Sequence, residues 1–218
     1  MKDFKVLIVG NAPINNLPEE EYHVIFYFPN NSRLIGTKSC MNTIAVIQDF
    51  TIDSNQWKCS KWGVVRRKKF YEYKKYFLPN YKTIIMDSGL SKNLLKKTDD
   101  LNVVDLISHK KAVFYLLKQI DFYSLYKTVG LKGLINYALL FVNFKKSIIG
   151  KYRPSSGFCI LLNILDKFSN LSVDMIGFSK PGENYFVNET CILNHSPHVL
   201  IDSLIFNQKI NEKIKFII

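Results

Sequence analysis

Short apolar runs alternate along this chain with polar loops and with longer stretches of helical spacing. The first run, Lys5-Val6-Leu7-Ile8-Val9, stops at Gly10-Asn11-Ala12-Pro13. A brief apolar run bounded by Gly and Pro predicts a strand buried on both faces, followed by a loop. Further strands are predicted at His23–Tyr27, Thr43–Gln48, Thr83–Met86 and Leu101–Ile107. Apolar residues recurring with helical period predict helices over Ala112–Ile120 and Leu131–Phe144. Ser155-Ser156-Gly157 ahead of the apolar stretch Phe158–Leu165 predicts a helix that begins with hydroxyl caps. Ser172–Gly177 reads as a strand closing on a glycine. Ser196, with Pro197 at the first helical position, introduces a helix over Val199–Phe206, and Ile214–Ile218 reads as a last strand. Strands alternating with helices predict an α/β fold with a mostly parallel sheet flanked by helices. With no repeat or low-complexity linker, residues 1–218 are expected to form a single domain, with 110–150 as a helical insertion beside the sheet.

Composition narrows the class. The chain has 218 residues, 47% hydrophobic and 22% charged, which excludes disorder, collagen-like repeats and coiled coil. Its 30 basic against 18 acidic side chains leave a net charge of +12, the one abnormal quantity. Such a surplus points to phosphate, whether nucleic acid, a nucleotide-linked substrate or an anionic membrane. A bland source competes with that, because a chain rich in Lys, Asn and Ile accumulates lysine on any tolerant surface. The placement is uneven, however. Lys58 to Lys75 carries eight basic residues and one acidic, Glu72, interleaved with Trp62, Phe70, Tyr71 and Tyr73. That patch suits an anionic membrane surface, or single-stranded nucleic acid stacked on the rings.

Cys40, Cys59, Cys159 and Cys191 are too dispersed for a structural zinc site and read as reduced thiols. The run from Met1-Lys2-Asp3 straight into a strand suggests no signal peptide. The apolar tract Leu134–Phe144 is broken by Asn136 and Asn143 and falls short of the ~20 residues that span a bilayer. The expected location is cytoplasmic, or peripheral on the inner face of the membrane.

Three polar loops follow predicted strands: Gly10–Asn16, Phe28–Arg33 and Phe178–His195. Ligands of open α/β sheets bind at the carboxyl ends of the strands. Gly10-Asn11-Ala12-Pro13 lets backbone approach a ligand, and Asn11 offers donor and acceptor; the same four residues also suit a structural turn. Tyr152-Arg153-Pro154-Ser155-Ser156-Gly157 opens a helix. Its free N–H groups, the two hydroxyls and Arg153 fit a phosphate or carboxylate, although serines at such a place also serve as caps alone. His195 precedes a helix start, whose dipole would hold its imidazole neutral, as a general base requires. His198, three residues on, has no carboxylate at ligand spacing, and no metal is expected. His23 and His109 read as structural. The chain has no Asp-x-Asp to hold a metal against a sugar diphosphate and no Gly-x-Ser-x-Gly nucleophile elbow.

The order of these motifs is more specific than any one of them. A first strand ending in Val-Gly-Asn-Ala-Pro resembles the Gly-Asn-Gly-Pro opening of bacterial lipooligosaccharide sialyltransferases and, more distantly, the long sialyl motif of animal sialyltransferases. Arg153-Pro154-Ser155-Ser156-Gly157, the apolar helix and Asp174-Met175-Ile176-Gly177-Phe178 resemble that family's Ser-Gly helix and the strand after it. Asn194-His195-Ser196 resembles its Gly-His-Ser segment. The resemblance covers roughly the first fifty residues and Tyr152 to Phe206. It implies a single modified GT-A, Rossmann-like domain that moves sialic acid from CMP-sialic acid, with inversion and without metal, to a terminal sugar of a surface glycan or lipooligosaccharide. Carried over by residue, Gly10, Asn11, Ala12, Asn30 and Asn31 would hold the cytidine nucleotide. Arg153, Ser155, Ser156 and Gly157 would meet the donor at the helix start, with Gly177 and Phe178 beside it. His195 would be the general base, and Tyr185 one of two tyrosines on the departing phosphate; Pro181 stands near the place of the other. Two alternatives accompany this reading. One is a transferase of CMP-Kdo or another CMP-sugar on the same scaffold. The other is a basic α/β nucleic-acid-binding protein, which explains the charge but none of these loops.

Overall fold

The computed structural model describes residues 4–10, 14–28, 31, 34, 37, 42–48, 81–87, 103–141, 152, 154–178, 199–207 and 212–217. Seven strands form one sheet: β1 (Phe4–Val9), β2 (Val24–Tyr27), β3 (Asn42–Gln48), β4 (Lys82–Asp87), β5 (Val103–Ser108), β6 (Leu171–Ile176) and β7 (Ile214–Ile217). Four helices are described: α1 (His109–Gln119), α2 (Phe122–Phe141), α3 (Ser156–Lys167) and α4 (Val199–Asn207). The strand order is β5-β4-β3-β2-β1-β6-β7, and each neighbouring pair runs parallel. The sheet is thus entirely parallel where the alternating pattern predicted a mostly parallel one.

The continuous apolar run of β1 has a plain cause. Its Leu7, Ile8 and Val9 are fully buried because both faces of the sheet are covered there. Val6 and Ile8, with Phe26 of β2, Val46 of β3 and Val173 and Met175 of β6, meet the helices in one apolar cluster. Phe158 to Leu162 of α3 are buried in it, joined by Ile201, Leu204 and Ile205 of α4. Helices α1 and α2, from the stretch 110–150, add Val113, Leu116, Leu125, Val129 and Tyr137 to the same cluster. The buried Cys159 is a free thiol, as the cysteine spacing suggested; the other three cysteines lie outside the described residues.

The opposite face of the sheet carries a polar layer. Tyr22 Oη donates a 2.6 Å hydrogen bond to Asp174 of β6, both residues being buried. Burial first, then the carboxylate, pushes the Tyr22 phenol far above its ordinary value. At the rim Lys5 pairs with Glu20, which Lys215 approaches to 3.6 Å. His23 Nδ1 accepts the Lys5 N–H at 3.0 Å while its ring stacks on Phe4, the structural role expected of it. His109 is buried at the first residue of α1.

One prediction of extent is corrected. The helix expected from Leu131 begins at Phe122 and contains a break at Gly130, with φ 65° and ψ −178°. That conformation belongs almost solely to glycine. A methyl group there would meet nothing within 4 Å, so a substitution tests backbone strain alone. Gly130→Ala is expected to lower stability by about 1–3 kcal/mol, read as a reduced urea midpoint at unchanged slope.

Candidate functional site

The sheet contains one topological switch point. From β1 the chain builds outward through β2 to β5, then returns to lay β6 on the other side of β1 and continues to β7. The crevice at the carboxyl ends of β1 and β6 is where ligands of open α/β sheets bind. Gly10 and Gly177, the residues immediately after those two strands, meet there. Gly10 N–H donates to Ile176 O at 2.7 Å. A methyl group on Gly10 would run into the Gly177 carbonyl oxygen and approach the Phe178 ring at 3.0 Å. Gly177 itself has φ 73°, the left-handed turn that lets the chain leave β6 sharply. Both glycines are therefore required by backbone geometry.

Three further predicted residues converge on this pair. Asn31 is buried, and its Nδ2 donates to Gly10 O at 2.6 Å, so the loop after β2 is tied to the loop after β1. Its own N–H donates to Phe28 O at 3.2 Å. Gly157, at the start of α3, faces the Phe178 ring, which occupies the space a side chain would need. Phe178 also meets Phe158 edge-on, with centroids 5.9 Å apart. Phe178 thus packs against Gly10 and Gly157, between the end of β6 and the start of α3. The room that the sequence pattern assigned to a ligand at Gly157 holds this ring.

The start of α3 differs from expectation in a second way. Ser155 occupies the N-cap position, yet its hydroxyl makes no capping bond. Instead Asp202 of α4 reaches across and accepts the Ser155 N–H on Oδ1 at 2.8 Å. The N-cap residue's own N–H is the one a capping-box carboxylate takes from within the helix, and here a carboxylate 47 residues away accepts it. Ser155 Oγ is buried and, together with the Ser155 N–H, favours the ionised form of the Asp202 carboxyl. Asp202 is the residue that the motif search missed. The available signal was one carboxylate inside the apolar run Val-Leu-Ile-Asp-Ser-Leu-Ile-Phe, because such a buried acid has to find a donor.

Burial pushes the Asp202 carboxyl up to about 7, with the Ser155 backbone N–H opposing the rise. The group is buried, on a helix whose Ile201, Leu204 and Ile205 belong to the apolar core.

Asn11, Ala12, Asn30, Arg153, Tyr185 and His195 all lie outside the described residues, as does the Lys58–Lys75 patch. Among the described residues no group of His, Cys, Asp and Glu is arranged to hold a metal ion. An apolar cleft of about 560 Å³ lies at the other pole of the sheet. It is lined by the strand starts Phe4, Val24 and Leu171 and by Phe168 after α3, away from the crevice. No protein-family model, curated protein or solved structure matches the chain.

Two outcomes follow from this geometry. Gly157→Ala is expected to cost about 1–3 kcal/mol through overpacking. Gly10→Ala should cost more, because the atom it meets is a backbone carbonyl with no rotamer to yield. Combining Gly157→Ala with Phe178→Leu should recover part of the loss, measured by chemical denaturation of the single and double variants. Asp202 gives a pH signature. Its proton is held more tightly folded, at about 7, than at the ordinary value of 3.8. Its contribution is therefore complete below about pH 4 and is lost as pH rises towards 7, at about 1.4 kcal/mol per pKa unit. Asp202→Asn, which keeps an acceptor for the Ser155 N–H, should flatten that part of the melting-temperature profile between pH 4 and 7.

Proposed function

We propose that this protein is an inverting, metal-independent glycosyltransferase that uses a CMP-linked sugar, with sialic acid as the sugar and a terminal sugar of a surface glycan or lipooligosaccharide as the acceptor. One observation carries the proposal. The motifs that resemble sialyltransferases in sequence order, Gly10, Asn31, Ser155-Ser156-Gly157 and Gly177-Phe178, gather from four separate segments at the switch point of a parallel sheet. A structural turn explains Gly10 alone; it does not explain why the buried Asn31 and the start of α3 accompany it.

The chemistry follows from what such a crevice offers. Backbone N–H groups at the start of α3, together with the Ser156 hydroxyl, would supply hydrogen bonds and a positive dipole end to an anionic donor. CMP leaves as a monophosphate ester, which needs less neutralisation than a diphosphate, and preorganised neutral donors can meet that need. His195, four residues before α4, would take the proton from the acceptor hydroxyl. The acceptor oxygen then bonds to the anomeric carbon from one face as the bond to phosphate oxygen breaks on the other, which inverts the centre. Tyr185 would donate to the departing phosphate. General-base assistance of this kind contributes typically ~10²–10⁴-fold.

A thermal-shift comparison of CMP with UMP, GMP and AMP tests the donor class. A selective rise with CMP is expected, and a flat response to all four would refute the proposal. Within the class, a panel of CMP-linked donors separates sialic acid from Kdo. His195→Ala should abolish transfer while the CMP-induced shift survives; near-normal transfer by that variant would remove His195 as the base.

A further inference from the structure

The outer face of α2 is an exposed apolar surface. Phe122 is 71% exposed, Tyr123 64% and Leu131 65%, with Tyr126 and Ile135 about half exposed. Phe122, Tyr123 and Tyr126 stand before the break at Gly130 and Leu131 and Ile135 after it, and within each half they cluster on an arc distinct from the buried positions, Leu125 and Val129 before the break and Gly133, Asn136 and Tyr137 after it. The inner side is buried independently: Leu125, Val129 and Tyr137 belong to the main core. The helix is therefore apolar on both sides, as only its inward side needs to be. Exposed aromatic and aliphatic side chains in such concentration mark a surface that meets a partner.

The charges around this face identify the partner. From His109 to Phe141 there are five lysines and one acid, Asp121. Lys127 before the break and Lys132 after it are both exposed, and neither pairs with a carboxylate among the described residues. Lys127 Nζ lies 4.7 Å from the centre of the Tyr123 ring, so cation and aromatic ring form one unit. A second copy of the chain docking face to face would oppose lysine to lysine, which disfavours that occupant. Aromatic rings with basic side chains beside them and almost no acid are the features of a helix that lies in an anionic lipid interface.

We propose that the outer face of α2 seats this protein on an anionic membrane surface, with Phe122, Tyr123, Tyr126, Leu131 and Ile135 entering the headgroup region and Lys127 and Lys132 meeting lipid phosphates. The inner side of the same helix reaches the segment that leads to the candidate site. Tyr137 Oη donates to Tyr152 O at 2.6 Å, three residues before Ser155, and Gly133 lies against the Tyr152 ring. A membrane-seated α2 would thereby hold the start of α3 at a fixed place relative to the lipid, where a lipid-linked acceptor is delivered. The seating itself stands on the surface alone and needs no donor, so it succeeds or fails independently of the transferase proposal.

Co-sedimentation of the full chain with vesicles tests it, using phosphatidylcholine–phosphatidylglycerol mixtures against phosphatidylcholine alone. Binding to the anionic vesicles that weakens with added salt is expected, with little binding to the neutral ones. Lys127→Glu with Lys132→Glu, and separately Leu131→Gln with Ile135→Gln, should each lower the partition coefficient at least tenfold. These side chains are exposed, so melting temperatures should stay near that of the parent chain. Hydrogen exchange on the unmodified chain gives a second readout, with protection by anionic vesicles appearing over residues 122–138. The proposal is overturned if the chain ignores anionic vesicles, or if both variants bind as the parent does and protection falls elsewhere, for example over Lys58–Lys75. It is overturned equally if sedimentation velocity shows a dimer that Leu131→Gln with Ile135→Gln dissolves, which would make a second copy the occupant.

Discussion

The close approach of two backbones, at Gly10 and Gly177, is the constraint on which the rest of the crevice depends. Adjacent parallel strands must diverge where one connection leaves towards β2 and the other towards β7, and the divergence opens the cleft. The Gly10 N–H continues the β1–β6 ladder for one more bond, to Ile176 O, before the chains part. A side chain at Gly10 would separate the strand ends and displace Phe178 with them. Asn31 then uses the Gly10 carbonyl as its acceptor, and Phe178 uses the space above Gly157. The site is thus assembled in steps that share one backbone junction, and its side chains are placed by main-chain atoms rather than by one another.

A second tie acts at right angles to the first. Helices α3 and α4 both press on Phe216 of β7, through Phe158 at 5.9 Å and Phe206 at 4.6 Å between centroids. Apolar contact of this kind is strong but without direction. The Asp202–Ser155 hydrogen bond supplies direction, since it is 2.8 Å long, partly buried and specific to one relative setting of the two helices. The cost is a carboxyl kept in apolar surroundings, which resists ionisation for that reason. A group whose charge state changes near neutral pH therefore sits at the start of the very helix proposed to receive an anionic donor.

What could be read from the chain follows from the range of the forces involved. Strands buried on both faces carry their signal locally, so Lys5–Val9 and Ser172–Gly177 were legible to within a residue or two. The same holds for α3, whose apolar stretch is continuous. Helix α2 was legible only from Leu131 because its first turns carry the exposed Phe122, Tyr123 and Tyr126, which blur the inward stripe, and because Gly130 interrupts the period. The two serines misled for a different reason. Capping by hydroxyl is the local expectation, whereas the bond that Ser155 makes, from its N–H to a carboxylate, comes from another helix. Gly157 was likewise legible as a place of close approach, but what approaches is a ring from beyond β6. Pairings across the fold are invisible to a pattern read along it.

The charge surplus can now be divided by place instead of by count. The stripe along α2 is basic because its lysines flank exposed aromatic residues and meet no carboxylate among the described residues. Lys5 and Lys215, by contrast, are absorbed by Glu20 at the sheet rim and tell nothing about partners. At the crevice, the described residues Gly10, Asn31, Ser155, Ser156, Gly157, Gly177 and Phe178 include no lysine or arginine, so the donors they offer are N–H groups and hydroxyls. Under the two proposals, long-range attraction and short-range recognition would be carried by different parts of the molecule. Diffuse positive charge would bring the protein to anionic surfaces and is screened by salt beyond about 10 Å, whereas neutral donors would act only on a ligand already seated and discriminate by geometry.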